Sequence, residues 1–404
     1  MFHPYRVLCF FGRSGRQAIV RLAGAGARCI RTASVLPAAA LRCRRLGHVR
    51  RAGLAVLTLA FAGTVQAFDG WRLEHAQPVD GRVAGWDYVS LDAQRNRLFI
   101  GMRSQGLMVY DLTQGVPLKT IVNTQQGVSN GALLVPEFDL GLSYNQDGSL
   151  TPFSLATLQA RVPLVLGSGL DSAHYDPFTK RVLVNMASDA HGTKLQVLQL
   201  PDLQVVGSIE ISAKEPEGAV ADGKGNIFLA ARDENRVYQL NLQTLKVVGS
   251  WPTTGCVAPV GIDMDVAQQR VFLGCRGSAS VKPTFLVMNA QSGAVVSTFD
   301  TGAGNDGVVY DAGMQRIFLA NGVQGQLHVF EQSGADSYKS LEALGTRPGV
   351  RTLVLNAQNK KIYAVGAEGS ADFSKTIDTE ASPFYANTFF KNTFSVMTFS
   401  RPQP

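Results

Sequence analysis

Seven positions of the chain, 41 to 46 residues apart, read Asp87, Asn130, Asp171, Glu217, Val260, Asp306 and Arg351. Each lies five residues before a turn Asp or its equivalent. In a chain that is 17 % charged, seven random positions would hold about one charged residue; these hold five. Brought together, they would make a ring of oxygens with one arginine. Such a ring suits a cation, an amine, a sugar or the tip of a basic peptide. Converging carboxylates raise one another's proton affinity unless a cation intervenes. Hard oxygen ligands would favour Ca²⁺ over zinc or copper, and no other metal or cofactor is expected. Alternatively, each residue caps its own loop through backbone amides.

What must position these residues is a repeat. The phrase Tyr88-Val-Ser-Leu-Asp92 followed by Leu98-Phe-Ile-Gly101 returns as His174-Tyr-Asp176 with Val182-Leu-Val-Asn185, and as Val220-Ala-Asp222 with Ile227-Phe-Leu-Ala230. Later copies end at Asp265, Asp311 and Asn356, and a degenerate one runs from Leu134 to Tyr144. Short runs with period-two alternation, separated by turn residues, are strands. A third strand (Leu107–Asp111, Val237–Asn241) and a fourth (Val205–Ile209, Val247–Trp251) complete each unit. Four strands per unit of this length make a propeller blade, so the expected fold is an all-β, seven-bladed β-propeller. Phe394–Phe399 reads as a third strand with no fourth after it, while Trp71–Val79 stands unassigned ahead of the first unit. Their pairing would close the ring and remove exposed sheet edges.

In such a ring the loops entering the inner strands share a face with those joining second to third strands. Arg103, Asp147, Asp189, His191, Arg232, Arg276 and Asn321 therefore stand as further contributors, although Arg232-Asp-Glu-Asn235 reads more simply as a solvated turn. His174, inside an inner strand, reads as structural. An insertion between Gly366 and Thr393 carries Phe373, Phe384, Tyr385, Phe389 and Phe390. It reads equally as a lid on that face or as a cover for the channel or closure seam.

The units resemble YVTN-type repeats, and residues 70–400 resemble periplasmic YncE-like proteins. Gly85-Trp-Asp-Tyr88, Gly218–Asn226, Gly274-Cys-Arg276 with Cys256, and Pro348-Gly-Val-Arg351 carry the likeness. The tetrapeptide Tyr-Val-Thr-Asn is absent; Val182-Leu-Val-Asn185 is nearest. The resemblance implies an exported propeller with no common activity.

Charge distribution agrees with export. The 404 residues hold 38 Lys+Arg and 31 Asp+Glu, a net +7. Residues 1–67 contain eleven arginines and no lysine or acid, which leaves 27 bases and 31 acids in the other 337 residues, a net of −4. Arg50-Arg51, the apolar run Ala52–Ala62 and Val65-Gln-Ala67 before Phe68 form a secretory signal peptide pattern. The Arg-rich stretch ahead of it could pass for a mitochondrial transit peptide, but the complete signal peptide points to a start assigned too far upstream. Residues 68–404 are thus expected to be one periplasmic domain, monomeric, with no membrane span. Cys256 and Cys275 are the only cysteines after the leader, an even count that predicts a disulfide. Pairing through the turn at Val266–Gln269 would bring them together; two free thiols is the alternative.

No CxxCH, HExxH or P-loop occurs, and no GxGxxG opens a helix. The acidic mature balance and the lack of a Lys/Arg stripe argue against nucleic acid. Three functions suit what is left. The first is a binding module for a small polar or cationic ligand or a protein partner at the channel mouth. The second is a lactonase-like hydrolase using acids around the axis; Pro216-Glu-Gly218 resembles the start of a gluconolactonase-like site, without its later Asn-Gly motif. A quinone-dependent dehydrogenase is the third, and its Trp-rich docking repeats are missing.

Overall fold

A computed structural model describes residues 70–79, 85–121, 128–371 and 387–402. The leader, its cleavage site, and Phe373, Phe384 and Tyr385 lie outside the described residues. The propeller falls within one unit, Gln66–Pro404.

Among the described residues, seven sheets of four antiparallel strands account for nearly all regular structure. We call them blades 1 to 7 in the order of their inner strands: Trp86–Asp92, Gly131–Val135, Leu170–Asp176, Pro216–Ala221, Pro259–Asp265, Asn305–Asp311 and Leu353–Asn356. Each inner strand contacts the next, and the seventh contacts the first, so the ring is closed.

The turn Asp of five units (Asp92, Asp176, Asp222, Asp265 and Asp311) is a structural device. Asp176 accepts hydrogen bonds from the Thr179 amide at 3.0 Å and its hydroxyl at 2.6 Å, and Asp222 accepts from the Lys224 amide at 2.8 Å. These carboxylates are buried and hold the turn between the first two strands. The turn ends on a left-handed residue that is not glycine in six blades: Asn96, Asp139, Lys180, Gln269, Gln315 and Lys360. The same backbone recurs because the same number of residues must reverse the chain each time.

Closure follows the sequence expectation. Arg72–Pro78 is the outermost strand of blade 7 and pairs antiparallel with Ser395–Ser400, from Arg72↔Ser400 to Pro78↔Ser395. Trp71 anchors this strand, with its ring edge-on to Phe318 at 4.9 Å and its backbone N–H 3.1 Å from the Glu342 carboxylate. Blade 2 is the most degenerate: its outer strand is only Leu164–Val165, and a single 3₁₀ turn, Pro136–Phe138, replaces the usual turn.

Apolar side chains fill the gaps between blades. Phe272, Phe285, Val287, Ile317, Leu319 and Phe330 form one such wedge. Each buried phenylalanine contributes about 1.5–3 kcal/mol by leaving water. Near the axis the joints are polar. Ser90 donates to the Ala132 carbonyl, Asn130 Nδ2 to the Leu170 carbonyl at 2.8 Å, and Asn185 Nδ2 to the Glu217 carbonyl at 2.8 Å. Side chains thus supply partners for inner-edge backbone groups that no fifth strand covers.

Candidate functional site

The inner-strand entry positions converge as the repeat requires. Asp87, Asn130, Asp171, Glu217 and Arg351 line one cavity of about 440 Å³ at the axis, together with Arg103, Arg232 and Arg276. Tyr88, Met186, Lys214 and Glu215 also line it. Asp306 sits directly behind, in contact with Arg276 and Arg351.

The ring is not a ring of acids with one arginine. Arg103, Arg232 and Arg276, at the ends of second strands, reach back over the entry positions. Val260, the apolar entry of blade 5, is fully buried, and the charge of that blade comes from Arg276. The result is a chain of ion pairs. Arg103 Nε donates to Asp87 Oδ2 at 2.9 Å. Arg351 Nη2 donates to Asp87 Oδ1 at 2.9 Å, and Arg351 Nε lies 2.7 Å from Asp306 Oδ2. Arg276 completes the chain through Asp306 and donates from Nε to the Asn305 carbonyl at 3.1 Å. In blade 4, Arg232 pairs separately with Glu215 at 2.7 Å and Glu217 at 3.1 Å. Side chains of Asp87 and Asp306 are only 5 % and 7 % exposed, so their charges depend on these guanidinium partners.

Blades 2 and 3 interrupt the ionic chain. Asn130 is 3 % exposed, and its Oδ1 has no hydrogen-bond partner. Among the described residues, the Asp171 carboxyl makes no hydrogen bond or ion pair. Burial raises its carboxyl to about 7, and the Glu217 and Asp87 charges add to the shift against the pull of Arg103 and Arg232. Burial likewise raises Glu217, with Arg276 and Arg232 opposing. Burial lowers Arg276 to about 10, so it stays cationic at neutral pH. Tyr88 ionises well above its ordinary value because it is buried beside Asp171, Glu217 and Asp87.

The remaining contributors divide. Asp147 caps the Ser149 amide at 3.0 Å, Asp189 caps the His191 amide at 2.7 Å, and Asn321 donates to Thr301 Oγ1 at 3.1 Å; none lines the cavity. The stretch Arg232-Asp-Glu-Asn235 is a turn with Asp233 exposed, but its side chains are engaged. Arg232 enters the cavity, Asp233 accepts the Lys214 and Glu215 amides at 2.9 and 3.1 Å, and Asn235 Oδ1 accepts the Ala258 amide at 2.7 Å. His174 is held by Ser172 Oγ at 3.0 Å, and burial lowers its imidazole to about 4, so it is neutral and structural. Cys256 and Cys275 form a buried disulfide pair with Cα atoms 5.5 Å apart, next to Arg276. Phe389 packs on Trp86 at 4.8 Å, whereas Phe390 is exposed.

Sequence reasoning missed Tyr88, Lys214, Glu215 and Met186. Tyr88 reads as one more apolar strand residue. Lys214 and Glu215 precede the aligned position, and only the Asp233 bonds bring them over the cavity. Among the described residues, no group of three or more His, Cys, Asp and Glu side chains is arranged to hold a metal, and no helix is long and apolar enough to cross a membrane.

Two solved structures resemble the chain. One, from the crystal structure of a mitotic checkpoint complex, has a TM-score of 0.62 at 12 % identity and covers 80 % of this chain and 96 % of its own. The other, from the hydrazine synthase of Kuenenia stuttgartiensis, has a TM-score of 0.60 at 12 % identity, with coverages of 71 % and 94 %. At this identity the likeness is one of fold: a β-propeller. No family model matches the sequence, and no curated protein matches it.

Proposed function

We propose that this protein is an exported, periplasmic binding module of the YncE-like kind, which holds a small polar or cationic ligand at the channel mouth. One observation carries the reading. Entry residues from five blades converge on an open cavity of about 440 Å³ whose lining is charged on nearly every side. A propeller presents such a site on a rigid scaffold, because each lining residue leaves the start of a hydrogen-bonded strand. The ligand is held without a metal, since Asp87, Glu217 and Asp306 already share their oxygens with arginines. Export rests on the signal peptide pattern and on the buried Cys256–Cys275 pair, which suits an oxidising compartment.

The test is a thermal-shift screen of sugars, amines and carboxylates against the purified protein and its Glu217→Gln variant. Ligand-induced stabilisation of the first and not the second supports the reading; no shift with any compound sinks it. Export is checked separately by sequencing the amino terminus of the native protein, expected at Phe68.

A hydrolase of the lactonase type is the second reading. A carboxyl that titrates near neutrality, as Asp171 does, is what a general base needs. Lactone turnover abolished by Asp171→Asn would favour it.

A further inference from the structure

The lining of the mouth is uneven in a way that selects a ligand. Its guanidinium groups are committed. Arg232 spends its three nitrogens on Glu215 and Glu217. Arg351 spends its own on Asp87, Asp306 and the Trp86 carbonyl. Arg276 is taken by Asp306 and the Asn305 carbonyl. Apart from Lys214 at the rim, what lacks a partner among the described lining residues is of the opposite kind. Asn130 Oδ1 and the Asp171 carboxyl, from adjacent blades 2 and 3, are acceptors without donors among the described residues. Both residues line the cavity, where the partly exposed Asp171 carboxyl is open to a ligand and Asn130 Oδ1 is sealed from water behind it. An acceptor left unpaired away from bulk water is destabilising, and a donor-bearing ligand relieves that cost.

Resting on the reading of the mouth as a ligand site, we infer that the Asp171 carboxyl, in the gap beside Asn130, takes the N–H donors of an organic ammonium ion, a primary amine, with its alkyl part along Tyr88 and Met186. An ammonium matches the site in number and sign. It brings N–H donors and one positive charge to the oxygens of one unpaired carboxylate. A metal ion such as Ca²⁺ needs six or more oxygens, and the neighbouring carboxylates are held by arginines. An anion would find the guanidinium groups occupied and only Lys214, at the rim, without a partner. Apolar contact comes from Leu170, Met186 and Pro216, and Tyr88 presents an aromatic wall. Lys214, exposed at the rim, opposes the ammonium and tunes its affinity downward.

Calorimetric titration of the full chain with butylammonium, tetramethylammonium and butanoate separates the possibilities. Butylammonium should bind, with tetramethylammonium, which has no N–H, at least about tenfold weaker. Asp171→Asn should weaken butylammonium by about tenfold or more, and Met186→Trp, which fills the cavity without changing charge, should abolish it. Lys214→Ala should tighten it. Equal binding of tetramethylammonium, or unchanged affinity in folded Asp171→Asn, would overturn the inference. Butanoate binding that Lys214→Ala weakens would also overturn it, yet leave the mouth as a ligand site. No heat from any probe at about 10 mM, with no hit in the thermal-shift screen, would remove both.

Discussion

Blades 5, 6, 7 and 1 close their side of the axis with the ion-pair chain Arg276–Asp306–Arg351–Asp87–Arg103, whereas blades 2 and 3 place Asn130 and Asp171 at the same entry positions and leave them open. The backbone is the same on both sides. What differs is whether an arginine arrives from the neighbouring loop. The closed side is a joint: a buried charge with a fixed partner holds adjacent blades in register. On the open side, polar groups are desolvated without compensation, the condition under which a ligand gains most by binding.

The contrast breaks most visibly at Arg351. Arg351→Ala removes the guanidinium that Asp87 and Asp306 share and leaves each buried acid with a single arginine, Arg103 or Arg276, and should lower stability by about 3 kcal/mol, measured by urea unfolding. Next comes the cross-link beneath Arg276: Cys256→Ala with Cys275→Ala should cost about 3 kcal/mol in the chain-entropy account. On the open side the sign reverses. The Asp171 carboxyl titrates at about 7 in the fold, above its unfolded value, so its contribution is complete in acid and is lost as pH rises through 7. Asp171→Asn should therefore raise the melting temperature at pH 8 and leave it nearly unchanged at pH 4. His174 acts oppositely. Its imidazole is lowered to about 4, so its contribution is lost as pH falls from about 6.5 towards 4, and a His174→Gln scan should flatten that limb. The smallest effect belongs to Asn130→Ala. It gives up one hydrogen bond to Leu170 but also removes an orphan oxygen, so unfolding should shift by less than about 1 kcal/mol.

Much of the fold was legible because a propeller repeats its grammar. The turn Asp, the β-branched second strand and the missing outer strand of the last unit could be read in line, and Arg72–Pro78 takes the place left for it. The site was legible only in part. Aligning one column of the repeat finds Asp87, Asp171, Glu217 and Asp306, because each blade solves the same entry problem. It does not say which second-strand residue leans over which entry. Arg103, Arg232 and Arg276 could be named as candidates beside Asp147, Asp189, His191 and Asn321. Only the packed structure separates the arginines that turn inward from the residues that cap their own loops.

The chain by itself determines that seven similar units exist, that their entry positions are polar, and that two cysteines flank a turn, since all of these are local spacings. Tertiary structure decides the charge character of the mouth. An ion pair forms between side chains from different blades, separated by 264 residues for Arg351 and Asp87, and its strength depends on how far closure of the ring excludes water. A count of acids along the sequence pointed to a ring of free carboxylates. Closure neutralises most of them and leaves one gap, at Asn130 and Asp171.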